Sequence, residues 1–267
     1  MKFEPRKLVN DGRLVQPFGI GGGYGISAKA LDLAFERGIN YFFWAPSFPT
    51  YRNETKWFKE KFKTQRDKII LATCPYFWRF PGALPRIIDR HRRWLGADYI
   101  DYFHLGMMRT VDDKAYDELL KFKEKGVIRH IAFSGHDRKI AAQAIQKWKQ
   151  LDLAMIRYNA AHIGAETEFF PHVDPAKISI VVFNATRHKS LLKAPKRWDK
   201  SKPAPTAGDS YRFVLTHPKV TMCLAGVVNE DQVKDLFKAI EKGPLSDEEM
   251  KRMREFGDAV YGRKTVK

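Results

Sequence analysis

The chain has 267 residues, 44% of them hydrophobic, and carries a formal net charge of +17. That apolar fraction supports a packed core and excludes a disordered chain; no apolar run approaches the roughly 20 residues a bilayer span needs. The opening stretch, MKFEPRKLVNDG, lacks the apolar segment of a secretory signal. Two cysteines, Cys74 and Cys223, fit a reduced, cytoplasmic protein and exclude a cysteine-ligated cluster. The basic residues are spread over helical stretches such as RNETKWFKEKFKTQRDK, with no nucleic-acid motif around them, and read as a solvated surface. They cluster beside prolines only in Arg187–Pro205. A small molecule is therefore the expected partner, rather than a membrane or a nucleic acid.

In chain order, Arg6–Gly19 predicts a hairpin turning on Asn10-Asp11-Gly12. A glycine run, Gly19 to Gly25, leads through a Ser27 cap into a helix ending near Gly38. The run lacks a Walker lysine, so its glycines serve a tight turn or a close backbone approach. Tyr41–Trp44 then reads as a strand buried on both faces, broken by Pro46 and Pro49. Strands at Lys68–Thr73, Tyr99–Gly106, Val127–Gly135, Leu153–Asn159, Ile178–Asn184 and Val220–Gly226 alternate with helices. A last helix opens on a Ser246/Glu249 capping box. Counting the strand near Gly19, eight βα units predict a single α/β domain: a (β/α)8 TIM barrel with an N-terminal β-hairpin and an extra C-terminal helix.

On such a barrel the site lies at the strand C-termini. The segments GINYFFWA, KIILAT, YIDYFHLG, GVIRHIAFSGHD, IRYNAAH and VTMCLAG resemble, in order and spacing, the strand signatures of the aldo-keto reductases. The resemblance spans nearly the whole chain. It implies an NAD(P)(H)-dependent oxidoreductase working with an aspartate, tyrosine, lysine and histidine. Carried over by motif, those positions are Phe43, Phe48, Cys74 and Gly106, so the whole tetrad is replaced. Losing one charged member alone would strand its partner in the interior at a cost of about 3–5 kcal/mol. Losing all leaves an aromatic wall.

Tyr51 and His104 are the candidates for a replacement proton donor. His104 has a competing reading as a core histidine bonded to a neighbour. The resemblance places the cofactor on Ser134, Asn159, Phe183, Asn184, Thr186, Arg187, Lys189, Gly226, Asn229 and Gln232. It gives no support for a 2′-phosphate pocket, and so none for NADP over NAD. Trp44, Phe48, Tyr76, Phe77, Trp78 and His136 would form a pocket for a planar or apolar substrate. His136, His162 and His188 all leave strand ends, but the same motifs occur in metal-free relatives, so no metal is expected. The alternatives to a rewired reductase are a lyase or isomerase on the same barrel, or a catalytically inactive nicotinamide-nucleotide-binding protein.

Overall fold

The computed structural model describes residues 2–46, 49–75, 80–106, 110–199 and 201–262. An antiparallel hairpin, β1 (Arg6–Lys7) and β2 (Leu14–Val15), precedes eight parallel strands closed into a barrel. These are β3 (Phe18–Gly21), β4 (Tyr41–Trp44), β5 (Ile70–Thr73), β6 (Ile100–Gly106), β7 (Ile128–Gly135), β8 (Leu151–Arg157), β9 (Ser179–Phe183) and β10 (Met222–Ala225). The barrel closes where β10 pairs with β3. Helices α1 (Ala28–Glu36), α2 (Arg52–Gln65), α3 (Leu84–Leu95), α4 (Asp113–Glu124) and α5 (Arg138–Lys147) link the first six strands of the barrel. The single-turn α6 (Ala165–Glu168), then α7 (Ala207–Thr216) and α8 (Glu230–Lys242), complete the units, with α9 (Asp247–Tyr261) outside them. Both the fold class and the Ser27 and Ser246/Glu249 caps match the sequence reading. No described helix is long and apolar enough to cross a membrane.

The hairpin plugs the N-terminal end of the barrel with charge. Asp101, at the start of β6, is fully buried and takes one guanidinium on each oxygen, Arg13 at 2.7 Å and Arg66 at 2.7 Å. The Leu71 amide donates to it as well, at 3.0 Å. Asp11 in the hairpin turn accepts from Arg13 and from the Tyr102 hydroxyl. A polar floor is thus tied to an apolar barrel by bonds that leave no carboxylate oxygen of Asp101 uncompensated.

Period-two alternation sorts β4 between the barrel interior and the helix layer. Tyr41 and Phe43 point inward: Tyr41 bonds His104 at 3.3 Å, and Phe43 meets the His104 ring edge-on at 5.5 Å. Phe42 and Trp44 point outward. Phe42 packs on Phe35, Trp57 and Phe58, while the Trp44 indole donates to Thr55 at 2.9 Å and lies edge-on to His91. This corrects the placement of Trp44 in a substrate pocket. It neighbours Phe43 in sequence and so faces the opposite way.

Candidate active site

A cavity of about 500 Å³ opens at the C-terminal ends of the strands. Its inner wall is apolar, formed by Phe43, Cys74, Met155, Phe183 and Leu224. The cavity continues past Gly226 to Gln232, Asp235 and Leu236 at the start of α8. Of the positions at which the resemblance placed a tetrad, Phe43 and Cys74 face this space, and Gly106 lies against Cys74. A Cβ added at Gly106 would collide with the Cys74 sulfur, so the cysteine fills the volume a side chain at 106 would need. Burial pushes the Cys74 thiol up to about 12, which keeps it protonated and inert. Phe48, Tyr76, Phe77 and Trp78 lie outside the described residues.

Tyr51 reaches the cavity from the single 3-10 turn Pro49–Tyr51 that leads into α2. It packs over Gly22, where any Cβ would strike its ring. His104 is fully buried one layer deeper and is not a lining residue; burial holds it down to about 3, a neutral imidazole bonded to Tyr41. Phe43, edge-on to it, lines the cavity and His104 does not.

The structure brings Ser134, His136, Phe183, Asn184, Thr186, Lys189, Gly226 and Gln232 to the cavity. Three other residues do different work. Asn159 is buried and staples a loop: its amide donates to the Asn184 carbonyl, and its oxygen accepts from the Ala161 and His162 amides. Met155, four residues earlier on β8, faces the cavity instead. Arg187 donates to the Val260 carbonyl and lies by the Tyr261 ring, so α9 holds it. Asn229 caps α8 by accepting from the Gln232 amide.

The loop after β9 is strained. Asn184, Arg187, His188 and Lys189 all have positive φ, between 48° and 67°. Such backbone costs of the order of 1 kcal/mol or more per residue and collects at ligand-binding sites. Asn184 holds it, accepting from the Arg187 amide on its carbonyl and from the His188 amide on its side chain. His136, edge-on to Phe183 at 5.1 Å, has its pKa lowered by burial and then by Arg157 and His188, so it is neutral here.

A residue the sequence reading passed over stands behind Tyr51. Glu54 is only 2% exposed, and neither of its oxygens has a hydrogen-bond partner among the described residues. Burial pushes its carboxyl up to about 8, an effect the nearby Gly23 amide only partly offsets. The signal was present: Glu54, Trp57 and Phe58 are the buried residues of α2, at i, i+3 and i+4. On that spacing Glu54 belongs to the inward stripe of a helix whose other face is cationic.

The Aldo/keto reductase family profile matches residues 26–206 and 188–258. The chain belongs to the aldo/keto reductase family. An oxidoreductase of Bacillus subtilis (strain 168) named YqkF is 22% identical, with 84% of this chain and 85% of that relative covered. Among solved structures, the holo form of the aldo-keto reductase AKR11C1 from Bacillus halodurans superposes with a TM-score of 0.79 at 22% identity, over 96% of this chain and 97% of that one. A Klebsiella pneumoniae aldo-keto reductase in complex with NADPH gives 0.77 at 18% identity, over 97% and 96%. Within this aldo/keto reductase, the cavity lies where the barrel strands end, with Phe43 and Cys74 in its wall.

Proposed function

We propose that this aldo/keto reductase is a nicotinamide-dependent reductase of a planar or apolar substrate, with a rebuilt acid/base site. The observation that carries the reading is one continuous cavity, running from Ser134 and Phe183 past Gly226 to the start of α8. A bound NAD(P)H would supply a hydride. The Phe183 ring offers a stacking face, Ser134 a hydrogen bond, and Lys189 and Thr186 a cation and hydroxyl for a diphosphate. Gly226 and Tyr24 both line the cavity, and the missing Cβ lets the Tyr24 ring lie against the end of β10, where a Cβ would meet it at 2.6 Å. Phe43, Tyr51 and Phe183 would hold the substrate by apolar contact and exclude water. The NADPH complex of the Klebsiella pneumoniae protein is consistent with a nicotinamide in this position.

The α8 end favours NADH over NADPH. Asp235 lines the cavity there, and Glu230 and Asp231 occupy the first turn of the helix. A 2′-phosphate would meet these carboxylates, whereas a ribose hydroxyl can donate to one. The exposed Lys238 and Lys234 pair with Asp235 and Asp231 at 2.9 Å, a weak compensation at a solvated surface. Titration followed by tryptophan quenching should show NADH binding about tenfold tighter than NADPH, a difference of roughly 1.4 kcal/mol. Asp235→Asn should narrow the gap. Failure of both nucleotides to bind at millimolar concentration would sink the reductase reading.

A second reading has one observation in its favour. Of the expected cofactor residues Ser134 and Asn159, only Ser134 lines the cavity, Asn159 being spent on a loop while Met155 faces the space. That favours a non-redox enzyme or a nucleotide-binding protein on the same barrel. Tight NADH binding with no oxidation across carbonyl and conjugated-alkene substrates would select it.

A further inference from the structure

We propose that the outer face formed by α2 and α3 is a docking surface for single-stranded nucleic acid. None of its residues lines the cavity, and it does not depend on the reductase reading. The excess positive charge is not spread evenly over the helix layer. On α1, α4, α8 and α9 acids outnumber bases, and on α5 the two end cations, Arg138 and Lys147, pair with Glu168 and Asp113. On α2 and α3 the only acids are Glu54, Glu60 and Asp89, and Glu54 is buried. Spaced along the chain, the two segments read as solvated helix faces; the barrel sets them side by side. Between them Trp44 donates to Thr55 of α2 and lies edge-on to His91 of α3.

Helical spacing sorts the cations into two rows. On α2 Arg52, Lys56, Lys59 and Lys63 recur every three or four residues, all exposed, while Trp57 and Lys61 turn toward Asp32 of α1. Arg52 and Lys59 stand one turn either side of Thr55, on the flank next to α3. On α3 Arg86, Arg90 and Arg93 make the second exposed row, and the Arg90 guanidinium lies over the Trp94 ring at 5.3 Å. Successive cations are roughly 5–6 Å apart along each axis, at 1.5 Å per residue. Lys63 pairs with Glu60 and Arg93 with Asp89, solvated contacts that offset little. Arg52, Lys56, Lys59, Arg86 and Arg90 have no ion pair among the described residues.

A repeating array of solvated cations without counter-charges suits a polymer with a charge at every repeat, whose binding is driven by counterion release. Two features select a single-stranded nucleic acid among polyanions. Trp94 is 45% exposed beside a guanidinium, an aromatic face on which a base free of duplex stacking can lie. It is also the one exposed large hydrophobic on the two helices, at the end of α3. The face therefore has no apolar stripe with which to enter a bilayer.

Fluorescence anisotropy of the full chain with a fluorescein-labelled ten-nucleotide uridine oligomer tests the surface. Log affinity should fall against log salt with a slope of about −3, from roughly 0.7 per neutralised phosphate. Arg86→Glu with Arg90→Glu should weaken binding at least tenfold and flatten the slope by about 1. Trp94→Ala should weaken it about tenfold with the slope unchanged, an effect that charge alone would not produce. Lys139→Glu with Lys149→Glu, the same charge change at exposed positions elsewhere, should leave the affinity within about twofold. No binding at 20 mM salt, an equal loss in the Lys139/Lys149 variant, or an unchanged affinity in Trp94→Ala overturns the proposal. So does tighter binding to polyglutamate or to phosphatidylserine vesicles than to the oligomer. Displacement of the oligomer by NADH would place it in the cavity and overturn the proposal too, while leaving the reductase reading intact.

Discussion

Phe43→Asp, made alone, is expected to destabilise the fold by about 3–5 kcal/mol, the cost of an ion left unpaired in a packed interior. Phe43 is buried, with Cys74 beside it in the cavity wall and a neutral His104 under its ring. None of these can offer a positive charge at neutral pH, and the lost ring adds a cavity. Cys74→Lys should cost a similar amount for the same reason. The two together should cost less than the sum, because each charge then has a partner; a coupling of about 1 kcal/mol or more in a double-mutant cycle measured by urea unfolding would show it. Additive costs would mean that the two positions no longer address one another.

Asp101→Ala should be as severe, for the opposite reason. Here the ions are present and matched, and removing the carboxylate leaves Arg13 and Arg66 facing each other across the barrel floor. Arg13 would keep its pair with Asp11, and Arg66 its bonds to the Ile69 and Tyr99 carbonyls, but each already has one nitrogen without a hydrogen-bond partner among the described residues, Arg13 Nη1 and Arg66 Nε. The Leu71 amide loses its acceptor as well. A loss of about 3–5 kcal/mol in urea unfolding is expected, with NADH affinity unchanged in the molecules that remain folded. A shift in affinity would show that the floor and the cavity, at opposite ends of the barrel, are mechanically linked.

The barrel was legible in the sequence because its strands are short apolar runs separated by helix caps, and those signals are local. The site was legible only where one rule decided. Strand alternation assigns Phe43 and Trp44 to opposite sides, yet both aromatics suit a pocket, and choosing on residue type put Trp44 in the wrong layer. Asn159 has the right chemistry for a carboxamide, but the strand ends at Arg157 and the chain turns, so its side chain serves the backbone it sits in. Glu54 was missed because a charged residue on a basic helix reads as surface. Its spacing to Trp57 and Phe58 carried the contrary information.

The left-handed loop beyond β9 has a practical implication for handling this protein. Arg187, in that loop, donates to the Val260 carbonyl, and Arg197, ten residues on, to the Ala259 carbonyl. Two arginines of the segment after β9 are thus moored to one turn at the far end of α9. Trimming the chain from residue 259, a routine step when shortening a protein for crystallisation or fusing it to another, would cut both moorings while leaving all eight barrel strands intact. Such a shortened protein is expected to hold the segment after β9 less firmly, which faster amide exchange over residues 184–197 would show.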